Sequence, residues 1–335
     1  MDSITVLLTA AGCPGGVPLI RALQREGVRV VAADARPSVP ALQFADAFYT
    51  LPLAKANNYI DVVEEIVEEE LVNLVLPQNN AEALALARGK GRIPAVVLTG
   101  SSRATEICLD KWDTYAAVQN LVPIPECILC RTANQTIAAL QAFNAQFDVV
   151  VLKQPTGAGS RGYHLVVPEF DRLSDGWRDW PRAATVTFHE VREALERNKV
   201  GLPVMVMEYL PGDAEPAVDV YCAGGEVLAG FVHDRHRCEF GLCKRHVVVE
   251  RPDEWRWTVA IARELKWDGF LNVQFKAGKL LEVNPRISTM IYSRDYNLPL
   301  LGIRHALGLA TEAELRAALL APGAWMEYYT DAVWG

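Results

Sequence analysis

Along the first hundred residues, short and fully apolar runs alternate with stretches whose apolar positions recur every three or four residues. Residues 4–9, 28–33, 73–76 and 95–98 read as strands, and 17–26, 59–70 and 81–88 as the amphipathic helices between them. Strands that are apolar throughout and joined by helices imply a parallel sheet covered on both faces, a Rossmann-like arrangement. Beyond Ser101 the pattern changes. Strands are predicted at 147–154, 204–209, 218–222 and 227–232, and helices at 114–120, 133–146 and 189–197. A hairpin of 270–276 and 279–284 turns on Ala277 and Gly278. The expected fold class is therefore α/β followed by α+β, with the first boundary near residues 100–110. The Trp-rich stretch 171–184 reads as a surface insertion.

Composition narrows the picture. At 335 residues the chain is long enough for two or three modules, and half of it is hydrophobic, which supplies sizeable cores. The net charge is −8 with both signs interspersed, whereas a nucleic-acid partner asks for a clustered basic surface. No apolar run reaches the roughly 20 residues of a membrane helix. The N-terminal apolar stretch lacks a basic leader and reads as a first strand rather than a signal peptide. Seven cysteines fit a reducing compartment better than a disulfide framework. A soluble, cytoplasmic protein is expected, with no nucleic-acid or membrane partner.

Four segments carry candidate chemistry. Lys153 ends a strand and is followed by a loop containing Gly157, Gly159, Ser160 and Gly162. Small residues let backbone N–H groups approach phosphate oxygens, and the lysine adds a point charge. An ordinary hairpin loop would read the same way, and no Lys-Ser/Thr pair opens a helix as in a Walker loop. Glu208, Tyr209 and Leu210 end an apolar strand before a Pro-Gly turn, after which Glu215 and Asp219 share one strand face. Such a carboxylate could take both hydroxyls of a ribose, or be a solvated edge acid. In the 270–284 hairpin, Glu282 and Asn284 share a face, and the turn can bring Gln274 beside them. An oxygen-only set of this kind suits Mg²⁺ (or Mn²⁺), with Arg286 near enough to clamp a phosphoryl group. Lys111, behind the N-cap candidate Asp110, could reach a phosphate from across a cleft.

Three further features bear on the reading. The glycine turn at 12–16 with Asp34 lacks GxGxxG spacing, so it reads as a tight turn more readily than as an NAD site. His233, His236 and His246 with Cys238 and Cys243 do not match zinc spacings, and Arg235, Arg237, Lys244 and Arg245 would repel a cation. A basic strand–loop–strand over the cleft fits better, with Arg235 set to meet a carboxylate or phosphates. Cys127 and Cys130 lie on one short strand and read as a structural pair rather than a redox motif.

In their order, these segments resemble the ATP-grasp superfamily, within it the branch of carbamoyl-phosphate synthetase and biotin carboxylase, over essentially the whole chain. The resemblance implies a pre-ATP-grasp domain at 1–105, a small lid subdomain with its linker at 106–205, and a large subdomain at 206–335. It implies that Lys111 and Lys153 touch ATP phosphates beneath a lid at 157–162. The backbone of residues 208–210 would meet adenine, and Glu215 the ribose. Gln274, Glu282 and Asn284 would hold the metal, with Arg286 facing an acyl-phosphate. The implied activity is an ATP-dependent carboxylate–amine ligase that makes ADP and phosphate, acting on a small carboxylate such as an amino acid. Its partners would be small-molecule substrates, and a homodimer is left open. The alternatives are a carboxyphosphate- or carbamate-forming enzyme, an NAD-dependent oxidoreductase using the N-terminal sheet, and a nucleotide-binding regulator without turnover.

Overall fold

The computed structural model describes residues 4–157, 162–169, 185–239, 242–288, 292 and 295–328, and its strands form three sheets. The first is built from β1 (Thr5–Thr9), α1 (Gly16–Gln24), β2 (Arg29–Asp34), β3 (Ala47–Thr50), α2 (Tyr59–Glu69), β4 (Leu74–Pro77), α3 (Asn80–Gly89) and β5 (Val96–Val97). Its order is β3-β2-β1-β4-β5, and every pairing is parallel, as the all-apolar strands require. One face packs on α1 through Leu8, Leu19, Leu23 and Val30; the other packs on α2 through Leu7, Val31, Val63 and Val67. Strand order reverses between β1 and β4, so the carboxyl ends of these two strands open a crevice. The turn after β1 is tight enough to demand glycine: a Cβ on Gly16 would stand 1.8 Å from the Ala11 carbonyl oxygen.

Two helices, α4 (Ser102–Leu109) and α5 (Lys111–Val118), lead into the second sheet. The Asp110 carboxylate caps α5, accepting from the N–H groups of Trp112 and Asp113. The second sheet comprises β6 (Cys127–Cys130), α6 (Ala133–Asn144), β7 (Val150–Lys153), β8 (Tyr163–Val167), β9 (Thr185–Thr187), α7 (Phe188–Glu196) and β10 (Val204–Glu208). Its order is β6-β10-β7-β8-β9, antiparallel except between β8 and β9. Leu140, Phe143, Leu152, Val166, Leu195 and Val206 bury one face under α6 and α7.

The third sheet follows from β11 (Glu215–Ala223), β12 (Glu226–Glu239), β13 (Leu242–Val248), α8 (Pro252–Glu264), β14 (Gly269–Lys276), β15 (Lys279–Asn284), α9 (Leu298–Ala306), α10 (Glu312–Ala317) and β16 (Trp325–Glu327). It is antiparallel throughout, in the order β15-β14-β11-β12-β13-β16. Val218, Val220, Leu271, Val273 and Phe275 pack on Tyr115, Val118 and Ile261, so α5 and α8 cover one face. Tyr221, Phe231 and Phe270 continue into the N-terminal core together with Ile303 of α9. The result is a parallel-sheet domain followed by two α+β units, as the change of pattern at Ser101 anticipates. The 171–184 stretch lies outside the described residues. No helix among the described residues is long and apolar enough to cross a membrane. Cys13, Cys108, Cys127, Cys130 and Cys222 are free thiols, whereas Cys243 is disulfide-bonded, a departure from the fully reduced set expected.

Candidate active site

The face of the third sheet turned away from α8 is polar where it does not join the N-terminal core, and strand register decides which side chains share it. Asp219, Asn272 and Asn284 are cross-strand neighbours on β11, β14 and β15, and Gln274 stands opposite Glu282 in the next row. On β12, Arg235 stands opposite Glu215 and beside His246 of β13. Side chains two residues apart point the same way. Glu215, Asp219, His233, Arg235, His246, Asn272, Gln274, Lys276, Glu282 and Asn284 therefore occupy one surface. The expected grouping of Gln274, Glu282 and Asn284 is present. Asn284 Nδ2 donates to Glu282 Oε1 at 3.1 Å, and Gln274 and Asn284 both donate to Asn272 Oδ1, at 2.9 and 3.2 Å.

The opposite wall comes from α5 and the second sheet. Lys111 Nζ lies 3.7 Å from Glu282 and donates to the Gly157 carbonyl at 3.0 Å, while its backbone N–H bonds Pro155. The loop after β7 is thereby tied to the start of α5. Lys153, the last residue of β7, is buried; burial first and then Lys111 lower its pKa to about 8. Burial alone would raise Glu282, but Lys111, the Asn284 hydrogen bond, Lys153 and Arg235 outweigh it and hold the carboxyl below its usual value. The group is an anion at neutral pH, as a metal ligand must be. Three oxygen-bearing side chains in adjacent rows, one of them ionised, with cations rather than thiols or free imidazoles around them, fit a hard cation such as Mg²⁺.

Glu208 accepts from the Glu126 N–H at 2.7 Å and pairs with Lys279, so its carboxylate is engaged while the backbone of Tyr209 and Leu210 runs on toward β11. Glu215, at the start of β11, pairs with Lys276 at 3.1 Å and Arg235 at 3.5 Å. Gly157 and Gly162 flank the loop, and Gly159 and Ser160 lie outside the described residues. Arg235 is part of the face itself rather than of a loop above it, for it donates to Gln274 Oε1. Arg286 follows β15; its Nε donates to Asn80 Oδ1 at 3.0 Å and its Nη1 to the Ile287 carbonyl. Burial pulls its pKa down, opposed by Cys13, Glu282 and Asp219. Asp34, the acid an NAD reading would need, is committed elsewhere: it accepts from the Gly12 N–H at 2.8 Å and from the Arg36 N–H and guanidinium. Cys127 and Cys130 face different cores, as residues three apart on a strand must.

Sequence reasoning missed Asn80, the first residue of α3, whose Nδ2 also approaches Asn284 Oδ1 at 3.4 Å. It missed Tyr115, whose hydroxyl donates to the Leu281 carbonyl at 2.9 Å and fastens α5 to β15. It also missed the buried pairing of Asp219 with His233 at 2.9 Å. The β4–α3 junction, Gln78-Asn79-Asn80, is the signal that could have exposed Asn80, because ligands gather where strand order reverses.

A parallel-sheet domain is thus followed by two α+β units, with cations on one wall of the cleft and an oxygen-bearing face on the other. Residues 6–97 match the family model of the PylC-like N-terminal domain, and residues 202–325 that of the ATP-grasp domain in the biosynthetic pathway with Ter operon. The chain carries an ATP-grasp domain and is homologous to carbamoyl phosphate synthase. It is 24% identical over 310 residues to the carbamoyl phosphate synthase large chain of Methanosphaerula palustris, covering 85% of this chain and 27% of that one. It is 32% identical over 110 residues to the formate-dependent phosphoribosylglycinamide formyltransferase of Synechococcus, covering 32% of this chain and 26% of that one. The chain thus spans about a quarter of the length of these relatives. Among solved structures, the N5-carboxyaminoimidazole ribonucleotide synthetase of Thermus thermophilus superposes with a TM-score of 0.66 at 19% identity, over 92% of this chain and 79% of that one. The biotin carboxylase domain of the Hydrogenobacter thermophilus 2-oxoglutarate carboxylase, in complex with MgADP and bicarbonate, also gives 0.66, at 15% identity, over 92% and 70%.

Proposed function

We propose that this protein is an ATP- and Mg²⁺-dependent ligase that activates a small carboxylate, such as an amino acid, as an acyl-phosphate and passes it to an amine. The observation that carries the reading is the oxygen face of Gln274, Glu282 and Asn284, set opposite Lys111 and Lys153 and beside Arg286. In this reading the backbone of residues 208–210 receives adenine, and Glu215 exchanges its bonds to Lys276 and Arg235 for the ribose hydroxyls. Lys111 and Lys153 draw the phosphates down from the second sheet, and the loop from Gly157 to Gly162 closes over them. Held by Gln274, Glu282 and Asn284, Mg²⁺ would neutralise charge on the phosphate oxygens. A carboxylate oxygen attacks the γ-phosphorus and ADP leaves; an amine then attacks the acyl carbon, phosphate leaves and the amine gives up its proton. Positioning and charge do most of the work of such a transfer, so a Ser–His or Cys–His pair is unnecessary. Arg286 and Arg235 stabilise the charge that develops on the transferring phosphoryl and acyl oxygens.

A second reading makes bicarbonate the carboxylate and carboxyphosphate the product of the first step; the fold likeness to the biotin carboxylase domain favours it. Both belong to small-molecule metabolism, and a homodimer is part of the same reading. The deciding experiment measures ADP and phosphate release with pairs of amino acids, with and without bicarbonate, and identifies the product by mass spectrometry. Release that needs an amino acid supports the first reading, and release that needs bicarbonate the second. Thermal stabilisation by NAD(H), with none by MgADP, would overturn both, since a ligand that binds only the folded state must raise its stability.

A further inference from the structure

Behind the metal face runs a buried chain of hydrogen bonds whose polarity can be read link by link. It begins at the Cys243 carbonyl, which can only accept. His246 Nε2 lies 3.0 Å from that oxygen and so carries a proton. Burial, and then His233, push the His246 pKa down to about 3, which leaves its ring neutral and its Nδ1 bare. His233 Nδ1 lies 3.2 Å from this bare nitrogen and must donate to it. Its Nε2 lies 2.9 Å from Asp219 Oδ2, a second acceptor. His233 thus bridges His246, through Nδ1, and Asp219, through Nε2. The three side chains are at most 3% exposed, and polar groups buried this deeply must find their partners within the protein.

The other Asp219 oxygen sets the next link. Oδ1 accepts from Asn272 Nδ2 at 2.7 Å, which turns Asn272 Oδ1 toward β15 and the metal face. That oxygen takes one hydrogen from Gln274 and one from Asn284. The second hydrogen of Asn284 goes to Glu282. A side-chain amide is nearly symmetric in shape but not in charge: reversed, it would offer N–H to a cation. With their nitrogens committed to Asn272, Gln274 and Asn284 have their carbonyl oxygens turned to the cleft side, where Arg235 and Asn80 now touch them.

We propose that Asn272, held by the Asp219–His233–His246 relay, is the positioning residue that aims the carbonyl oxygens of Gln274 and Asn284 at the divalent cation. The inference rests on the metal-site reading above. None of the four touches the cation; they decide which end of each amide does. Outer partners of this kind typically change metal affinity 10–100-fold.

The test is titration of the whole protein with Mn²⁺ in the presence of ADP, followed by electron paramagnetic resonance, for wild type, Asn272→Leu and Asp219→Asn. Asn272→Leu keeps the side-chain volume but removes both links, and Mn²⁺ affinity should fall about 10–100-fold while metal-free ADP affinity stays put. Asp219→Asn keeps an acceptor for Asn272 and can still pair with His233, so the amides keep their orientation. Its Mn²⁺ affinity should stay within a few-fold of wild type. Wild-type protein that binds no Mn²⁺ with ADP would sink the metal-site reading. If wild type binds it, equal affinity in Asn272→Leu, or an equal loss in Asp219→Asn, overturns the positioning role alone. Should Asn272→Leu fail to fold, Asn272→Ser removes the same links with less disturbance of packing, and wild-type Mn²⁺ affinity in that variant overturns the role.

Discussion

Burial acts against the two charges that face each other across the cleft, Lys153 and Glu282, with opposite outcomes. Lys153 loses, and its pKa falls to about 8; Glu282 is rescued by Lys111, Asn284, Lys153 and Arg235 and stays ionised. An incoming phosphate would draw the Lys153 proton back. Nucleotide binding above pH 8 should therefore take up a proton, seen as a buffer-dependent enthalpy in calorimetry, and Lys153→Arg should abolish the uptake. The effect on stability has a definite sign. An unfolded lysine keeps its proton to about 10.5, so between about 8 and 10.5 the unfolded chain binds more protons, and this group makes the fold more stable as pH rises through that window. Glu282, with its lowered value, contributes stability above the ordinary carboxylate range that disappears as the pH falls through its folded value. Glu282→Gln should preserve the circular dichroism spectrum and reduce ADP formation by on the order of 10²–10³ at saturating Mg²⁺ and ATP. Wild-type turnover in that variant would place the metal elsewhere. Gln274, Glu282 and Asn284 were legible beforehand because alternation along a strand is local. Asn272 and the histidine relay were not, since their partners are set by register between strands distant in sequence.

Among the elements, legibility followed burial. β14 and β15 stood out because an apolar face alternates with a polar one, and β1, β2 and β4 because both faces are apolar. β3 escaped notice as a four-residue, half-exposed edge strand. The strand expected at 227–232 and the first strand of the basic strand–loop–strand expected after it are one continuous β12, which runs to Glu239; from His233 on alternate residues line the polar cleft, so the hydrophobic signal fades there. α8 was missed because Trp255, Trp257, Arg256 and Arg263 blur its apolar stripe, although Thr258, Ile261 and Ala262 are buried. The contact between elements that matters most to the site is the Tyr115–Leu281 hydrogen bond, which sets the distance from Lys111 on α5 to Glu282 on β15. Tyr115→Phe should lower stability by about 1–2 kcal/mol, because a buried carbonyl loses its partner. It should also weaken MgADP binding more than it weakens the fold, since Lys111 rides on the same helix. A denaturant titration run beside a calorimetric one separates the two, and unchanged nucleotide affinity would show that α5 is held by its apolar contacts alone.

At the scale of the whole molecule, the parallel sheet and the third sheet share one hydrophobic core through Tyr221, Phe231, Phe270 and α9, so the two lobes are welded rather than hinged. The second sheet buries one face in a core of its own, while Val151, Leu165, Met205 and Met207 on the other join the core of the third sheet. The parallel sheet and the third sheet thus form one platform, against which the second sheet also packs. On that platform the N-terminal domain reaches the chemistry through Asn80, which accepts from Arg286 and approaches Asn284. Neither contact could be read from the chain, since more than 200 positions separate the partners. Asn80 would hold the Arg286 guanidinium at the crevice between β1 and β4, where an acceptor substrate would enter. Asn80→Ala removes that hold while leaving Lys111, Lys153 and Glu282 in place. MgADP affinity should stay within a few-fold of wild type, whereas kcat/KM for the acceptor should fall about 10–100-fold, the loss expected for one hydrogen bond to a charged group. Asn80→Asp, which keeps an acceptor for Arg286, should recover part of the loss. Equal losses in nucleotide binding and acceptor use would instead make Asn80 a structural strut between the lobes, and the separation of binding from turnover in these two variants decides between the roles.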